Sequence, residues 1–344
     1  MLECDIIVVG GGTAGALCAR RLGECSDASI VVLEAGRTFP RWALGVPLAS
    51  YRLRRPWSWE YRSVPQAAFG GRRVCYPMGK VLGGSSAVNA MIAAPGPAAD
   101  YDAWAAEGCD GWDWRTLEPC WRRANDRHRT AAVSIESPSF TAPFTAAMIQ
   151  ACQEYGLTHV DALTGAESQT CGRFALFQRS RARYSTADAL ADAVRGGRLV
   201  VRTRANVLRI LFDGDRAVGV ECGDAGRTFP VRARAGVVLS AGAFGSPAIL
   251  MRSGIGPAAH VRSAGIEPRC DLPGVGENLQ DHVGVPVVWG SRAPSPGRKS
   301  RWIPAAIEYG LWRTGVMASN GCEGGAFLGT AGRSPDLEIA GLFQ

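Results

Sequence analysis

Residues 5 to 36 constrain this chain more than any other stretch. Asp5-Ile6-Ile7-Val8-Val9 is a short, continuous run rich in β-branched residues, the pattern of a strand buried on both faces. It leads directly into Gly10-Gly11-Gly12-Thr13-Ala14-Gly15. A helical segment follows, with Ala16, Leu17, Ala19 and Leu22 on one side and Arg20, Arg21 and Glu24 opposite. A second apolar run, Ile30-Val31-Val32-Leu33, ends at Glu34. Strand, glycine turn, helix, strand and acid, in that order, predict a dinucleotide-binding βαβ unit. Gly10 permits the tight turn, Gly12 lets backbone N–H groups approach a pyrophosphate, and Gly15 allows helix and strand to pack closely. The helix start, at Thr13 and Ala14, adds a fixed positive field for the phosphates. Glu34, 19 residues past Gly15, is placed to accept hydrogen bonds from ribose hydroxyls. The turn alone does not choose between NAD and FAD.

Residues 38–75 are rich in proline, arginine and tryptophan (Trp42, Trp57, Trp59) and show no helical period, so they read as an excursion from the sheet. Trp57, Trp59, Phe69 and Tyr76 read as packing residues rather than as the lining of an apolar entrance. Gly79-Lys80-Val81-Leu82-Gly83-Gly84-Ser85-Ser86-Ala87-Val88-Asn89-Ala90-Met91 follows. Its glycine pair ahead of two serines, opening an apolar stretch expected to be helical, places N–H groups and hydroxyls where an anion or ring oxygen could sit. Leu199 to Val207 reads as a strand and its exit, and Gly236 to Leu239 as a strand ahead of Ser240-Ala241-Gly242. Val218–Glu221 and Phe229–Ala233 flank a turn at Gly223-Asp224-Ala225-Gly226.

On four of these blocks the sequence resembles the glucose–methanol–choline (GMC) oxidoreductases, FAD-dependent alcohol oxidases and dehydrogenases. They are the N-terminal turn with Glu34-Ala35-Gly36; Gly79 to Met91 continuing through Gly96 to Asp102; Gly242 to Gly256; and Asp271 to His282. Weaker echoes are Asp100–Trp104, Gly111-Trp112 and Arg183-Tyr184-Ser185-Thr186. The resemblance implies an α/β fold: a Rossmann-like FAD-binding domain over 1–290, with excursions at 38–75 and 98–182. It further implies an incomplete α+β substrate domain with an antiparallel sheet over 291–344, entered through the Ser291–Arg301 turn. It implies that Val81, Gly84, Ser85 and Asn89-Ala90-Met91-Ile92 wrap the flavin ring and its ribityl chain. The resemblance also implies that the backbone of Val207 holds the adenine and that Ala241 brings a second glycine turn against the dinucleotide. Some members tether FAD through a histidine at the position of Val88; valine cannot, so non-covalent FAD is expected. An NAD-dependent dehydrogenase would leave the two long signatures without a role.

In this family the alcohol proton passes to a histidine base in the C-terminal portion of the chain, as hydride passes to flavin N5. That base would lie beyond Gln344, so no residue here is assigned as catalytic. His282 reads as structural, His128, His159 and His260 as surface residues, and Glu118, Asp126 and Glu136 as solvated acids. The expectation is therefore a half enzyme completed by a C-terminal partner polypeptide or a truncated gene product, or else a non-catalytic flavin-binding or interaction remnant. Which alcohol it takes, and whether oxygen, a quinone or a redox carrier is the electron acceptor, is not written in these motifs.

Composition narrows the partners. The net charge is +7, but only Lys80 and Lys299 are lysines and the arginines are scattered, so no phosphate-tracking stripe exists and no nucleic-acid partner is expected. Eleven cysteines without a CxxC pair or Cys/His ligand spacing argue against a metal site and for reduced thiols in the cytoplasm. No run of about 18 apolar residues occurs, so no membrane span is expected.

Overall fold

Strand β1 (Leu2–Val9), helix α1 (Thr13–Cys25) and strand β2 (Ile30–Glu34) form the βαβ unit expected from the sequence. The computed structural model describes residues 2–48, 55–125, 132–195, 197, 199–224, 226–290, 302–329 and 334–342. Two compact units emerge. The first comprises Met1–Phe39, Arg55–Val88 and Thr186–Val288; the second comprises Pro40–Arg54, Asn89–Ser185 and Trp289–Gln344.

The first unit is built on a six-stranded sheet in the order Asn206–Asp213, Arg216–Asp224, Arg227–Leu239, β1, β2, Leu199–Thr203. The last four strands run parallel, whereas the first two form an antiparallel hairpin with the start of Arg227–Leu239. Alternation along β1 and β2 explains their unbroken apolar runs. Ile7, Val9, Val31 and Leu33 pack on one face against Val207, Val220, Val231 and Ile249. Val8, Ile30 and Val32 pack on the other, against Ala16 and Ala19 of α1, Leu190 and Leu199. Each such side chain contributes about 1.5–3 kcal/mol by leaving water.

Two elements differ from the sequence reading. Leu199 to Val207 is two strands, because Arg204, at φ +58°, turns the chain and gives its N–H to Gly36 O at 2.8 Å. The stretch after Gly83 is a single 3-10 turn, Gly84–Ala87, and does not continue as a helix. Between β2 and this turn, strands β3 (Ser58–Arg62) and β4 (Cys75–Gly79) form an antiparallel hairpin within the proline-rich excursion. Trp59 and Tyr76 join Tyr61 and Phe244 in an aromatic stack with centroids 5.0–5.8 Å apart, while Phe69 stays exposed at the hairpin tip.

The second unit has a four-stranded sheet in the order Leu337–Ala340, Gly324–Leu328, Thr170–Phe174, Thr158–Leu163. It is mixed rather than antiparallel throughout, since its Thr158–Leu163 pairing is parallel. Glu136 is not a merely solvated acid. It accepts the N–H groups of Ser180 (2.8 Å) and Arg181 (3.1 Å), two non-glycine residues at positive φ that turn a short hairpin. Glu118 does behave as a surface acid, paired with Arg122 at 2.7 Å along its helix. Asp126, His128 and the Ser291–Arg301 segment lie outside the described residues.

All eleven cysteines are free. Burial raises the thiol pKa of Cys222 to about 11 and that of Cys322 to about 12, and pushes Cys4 and Cys171 in the same direction. Alkylation at pH 8, followed by peptide mass spectrometry, is expected to modify exposed Cys25, Cys75, Cys109, Cys120 and Cys270 first. Cys4, Cys171, Cys222 and Cys322 should react only once denaturant opens the fold. Among the described residues no helix is long and apolar enough to cross a membrane.

Candidate dinucleotide site

The carboxyl ends of β1, β2 and Arg227–Leu239 lie side by side, through Val9↔Leu33 and Val9↔Leu239 pairing. Gly10, Glu34 and Ser240 therefore leave the sheet at the same edge, where doubly wound sheets bind their ligands. Gly10 has φ +95°, and a Cβ there would stand 2.5 Å from Ser240 O. A Cβ on Gly15 would collide with the carbonyl oxygen of Gly10 and with Ser240 Oγ. Ser240 locks this approach: its N–H and hydroxyl both bond Val9 O, at 2.9 and 2.8 Å. Sequence reasoning singled out Ala241 rather than this serine; Ala241 caps Gly242–Arg252, and its N–H bonds Ser246 Oγ at 3.0 Å.

Helix α1 starts at Gly12 with no side-chain cap and no acid in its first turn, and Thr13 and Ala14 are exposed. That is an anion-ready N-terminus. The Gly79–Ala87 segment lies along it. Gly83 N–H bonds Gly11 O (2.7 Å), Leu82 N–H bonds Arg37 O (2.8 Å), and buried Val81 accepts Gly84 N–H (2.7 Å). Ser85 Oγ accepts the N–H of Gly79 at 3.2 Å. A Cβ on Gly84 would reach 2.7 Å from Gly12 Cα, so two backbones touch here and only glycine fits.

Glu34 is 6% exposed. Its Oε2 accepts Gly11 N–H at 2.9 Å and its Oε1 accepts Gly36 N–H at 2.7 Å. Burial raises its carboxyl pKa against the opposing pull of these two donors and of Lys80. A carboxylate has about four acceptor positions, so two protein donors leave room for ribose hydroxyls. Val207 is buried in the hairpin, paired with Cys222 beside a bulge, and Ala205 N–H bonds Glu34 O at 2.9 Å.

Asn89 to Ile92 belong to the second unit. Asn89 Oδ1 accepts Met91 N–H at 3.0 Å, Ala90 O accepts Asn320 Nδ2 at 2.8 Å, and Met91 O accepts Phe177 N–H at 2.7 Å. Ile92 bridges Leu176. Arg183 and Asn320, which hold this turn, were not singled out as site residues; the Arg183–Thr186 echo was the available signal. Fully buried Glu323 is another anchor, accepting from Ala142 N–H (3.0 Å) and Thr145 Oγ1 (2.7 Å). His159, His260 and His282 are all exposed.

The parallel sheet and the glycine turn at its carboxyl edge define a dinucleotide-binding protein of the Rossmann type. The chain belongs to the GMC oxidoreductase family, whose model matches residues 4–284. An oxygen-dependent choline dehydrogenase of Staphylococcus saprophyticus is 34% identical over 94% of this chain and 61% of its own length. An uncharacterised GMC-type oxidoreductase of Mycobacterium bovis is 38% identical over 98% of this chain and 66% of its own. Among solved structures, pyridoxine 4-oxidase from Mesorbium loti superposes with a TM-score of 0.85 at 30% identity, over 98% of this chain and 66% of that one. A fungal aryl-alcohol oxidase gives 0.82 at 27% identity, over 95% and 62%. The chain thus spans about two thirds or less of the length of these relatives.

Proposed function

We propose that this chain is the FAD-holding portion of an oxidoreductase acting on the CH–OH group of a small alcohol, with FAD bound non-covalently. The observation that carries the dinucleotide reading is the Gly10–Gly15 turn, closed at backbone contact by Ser240 and Gly84 over an uncapped helix start, and the family match over residues 4–284 favours FAD over NAD. The donor set fits the cofactor. N–H groups from Gly12 to Gly15 meet a pyrophosphate, Glu34 takes ribose hydroxyls, and Val207 lies on the adenine side. Val81, Gly84 and Ser85, beside that turn, line the ribityl chain. When bound, FAD supplies the acceptor for the hydride that leaves the alcohol carbon. Val88 offers no nucleophile for a covalent tether, and the eleven free thiols favour the reducing cytoplasm.

The alcohol proton needs a base within about 3 Å, directly or through one water. The exposed positions of His159, His260 and His282 do not suit that role, so we assign proton abstraction to a group outside the described residues. A partner polypeptide supplying it would make this chain half of an enzyme.

The test is to load the purified chain with FAD and follow its visible spectrum without oxygen. Retained flavin that dithionite reduces, but that choline or benzyl alcohol leaves oxidised, is the expected result. Bleaching by an alcohol would overturn the assignment of the base. Failure to retain flavin would overturn the cofactor reading. Reoxidising the reduced protein with oxygen or a soluble quinone then identifies the class of electron acceptor.

A further inference from the structure

The proline-rich excursion sets a lysine beside the buried acid of the candidate site, wholly within the first unit. The stretch Gly79–Leu82 runs along the end of β2. Arg37 and Val81 form a parallel bridge, Leu82 N–H donates to Arg37 O at 2.8 Å, and a Cβ on Gly36 would collide with Lys80 O. Gly36 and Lys80 therefore meet backbone to backbone. The N–H of that same Gly36 is the one that Glu34 Oε1 accepts at 2.7 Å. The lysine side chain is held by an aromatic ring. Its Nζ lies 3.8 Å from the centroid of Trp59, and its N–H donates to Trp57 O at 2.7 Å. Trp59 stacks on Tyr61 (5.8 Å) and Tyr61 on Phe244 (5.0 Å). Hairpin β3–β4 and the first turn of Gly242–Arg252 thus fix the ring under the ammonium.

Burial raises the Glu34 carboxyl pKa, and the N–H groups of Gly36 and Gly11 and the charge of Lys80 pull it back. Lys80 is the one full charge in that set. Among the described residues around the carboxyl, the Gly10–Gly15 turn carries no ionisable side chain. Arg37, Arg202 and Arg204, on the flanking stretches, are exposed, and Arg202 lies over the Phe229 ring at 4.3 Å. A buried acid without a nearby cation keeps its proton, and a protonated acid is a poor acceptor for hydroxyls. A single cation acts strongly there, because the field is less screened than in water. The ring contact also confines a side chain that is otherwise flexible.

We propose that Lys80 is a positioning residue for the ribose end of the dinucleotide site: clamped on Trp59, its ammonium holds the Glu34 carboxylate as an acceptor for ribose hydroxyls. The proposal rests on the dinucleotide reading above and gives the hairpin of the excursion a part in it. Its physical content is preorganisation, since the charge is in place before the ligand arrives.

Two measurements on the full chain test it, using wild type, Lys80→Met, Lys80→Arg and Glu34→Gln. The first is a carbon-13 NMR titration of the side-chain carboxyls without ligand, with the Glu34 signal assigned by its loss in Glu34→Gln. The Glu34 midpoint is expected at higher pH in Lys80→Met than in wild type. In Lys80→Arg it should stay at the wild-type position, because a guanidinium keeps the charge and also lies well on a tryptophan face. An unmoved midpoint in Lys80→Met overturns the proposal. So does an equal displacement in Lys80→Arg, which would make packing rather than charge the cause.

The second measurement is titration with ADP, which carries a ribose and two phosphates, from about pH 4 to about pH 9. The ratio of wild-type to Lys80→Met affinity is expected to peak at about tenfold where Glu34 titrates. It should fall toward one at both ends, where the two proteins hold Glu34 in the same charge state. Adding Lys80→Met to Glu34→Gln should cost no further affinity. A ratio constant with pH, or a loss undiminished in the Glu34→Gln background, overturns the proposal and makes Lys80 a direct phosphate contact. If the wild type does not bind ADP, the dinucleotide reading fails, and the carboxyl titration still decides whether Lys80 acts on Glu34.

Discussion

Gly15→Ala is expected to yield protein that retains no FAD and whose fold loses more than the roughly 1–3 kcal/mol of ordinary overpacking. The new methyl would fall on the carbonyl oxygen of Gly10 and on Ser240 Oγ. The serine could rotate away, at the loss of its 2.8 Å bond to Val9 O. The carbonyl cannot. Gly10 sits at φ +95°, its N–H is tied to Leu33 O at 2.8 Å, and its own α-carbon faces Ser240 O. Relief therefore requires α1 to move off β1, which opens the layer between Val8, Ala16 and Ala19. Gly12→Ala is the control. Its methyl would meet only Gly84 Cα, at 3.7 Å, so the fold should lose no more than about 1 kcal/mol. That methyl instead occupies the space assigned to the pyrophosphate, so FAD should bind on the order of tenfold to a hundredfold more weakly. Urea unfolding and FAD titration on both variants check the pair. Equal unfolding losses in both variants, or FAD retained by Gly15→Ala, would contradict this account of the turn.

The turn was legible because its strand, helix and glycine requirements are local, although the Ser240 and Gly84 contacts that close it are not. Strand, helix and glycine spacing lie within 30 residues, and Ile6–Val9 and Ile30–Leu33 pack on both faces of the sheet as unbroken apolar runs. What escaped the sequence reading is tertiary. Arg204 turns the chain without a glycine, proline or asparagine, using an acceptor on Gly36 far away in sequence. The stretch after Gly84 carries helix-compatible residues, but Arg183, Asn320 and Phe177 claim the backbone groups of Asn89 to Met91. Thr170–Phe174 pairs with Gly324–Leu328, about 150 residues on, so no local period announces that a segment read as an excursion supplies a sheet strand. Glu136 looked like any surface acid because the two left-handed residues it serves, Ser180 and Arg181, carry no turn signature. The candidate site divides the same way. Its glycine turn is a motif, whereas Ser240 and Gly84, which close on that turn, are brought to it only by the folded chain.

Glu34 carries the second large effect, and its two substitutions should separate scaffold from ligand. In Glu34→Ala the buried N–H groups of Gly11 and Gly36 both lose their acceptor, at about 1–3 kcal/mol each. Against a total stability of roughly 5–15 kcal/mol, that is enough to unfold a marginal protein. Glu34→Gln keeps one carbonyl acceptor but turns an NH2 toward the other N–H, so its loss should be about half as large. The pH dependence has a definite sign. Burial holds the folded-state pKa above its unfolded value of about 4.3, so the native state keeps this proton after the unfolded chain has released it. The stability contributed by Glu34 therefore falls as pH rises from about 4.3 through the raised folded value, and levels off above it. Ribose hydroxyls require the opposite charge state, because a carboxylate accepts from them and a protonated acid does so poorly. FAD affinity should therefore rise over the same pH interval in which the free protein loses stability. Glu34→Gln removes the titrating group, so both slopes should flatten while FAD binds at least about tenfold more weakly at neutral pH. FAD titrations and urea unfolding from about pH 4 upward through neutrality decide the matter. Parallel pH profiles for wild type and Glu34→Gln would show that the ribose partner lies elsewhere.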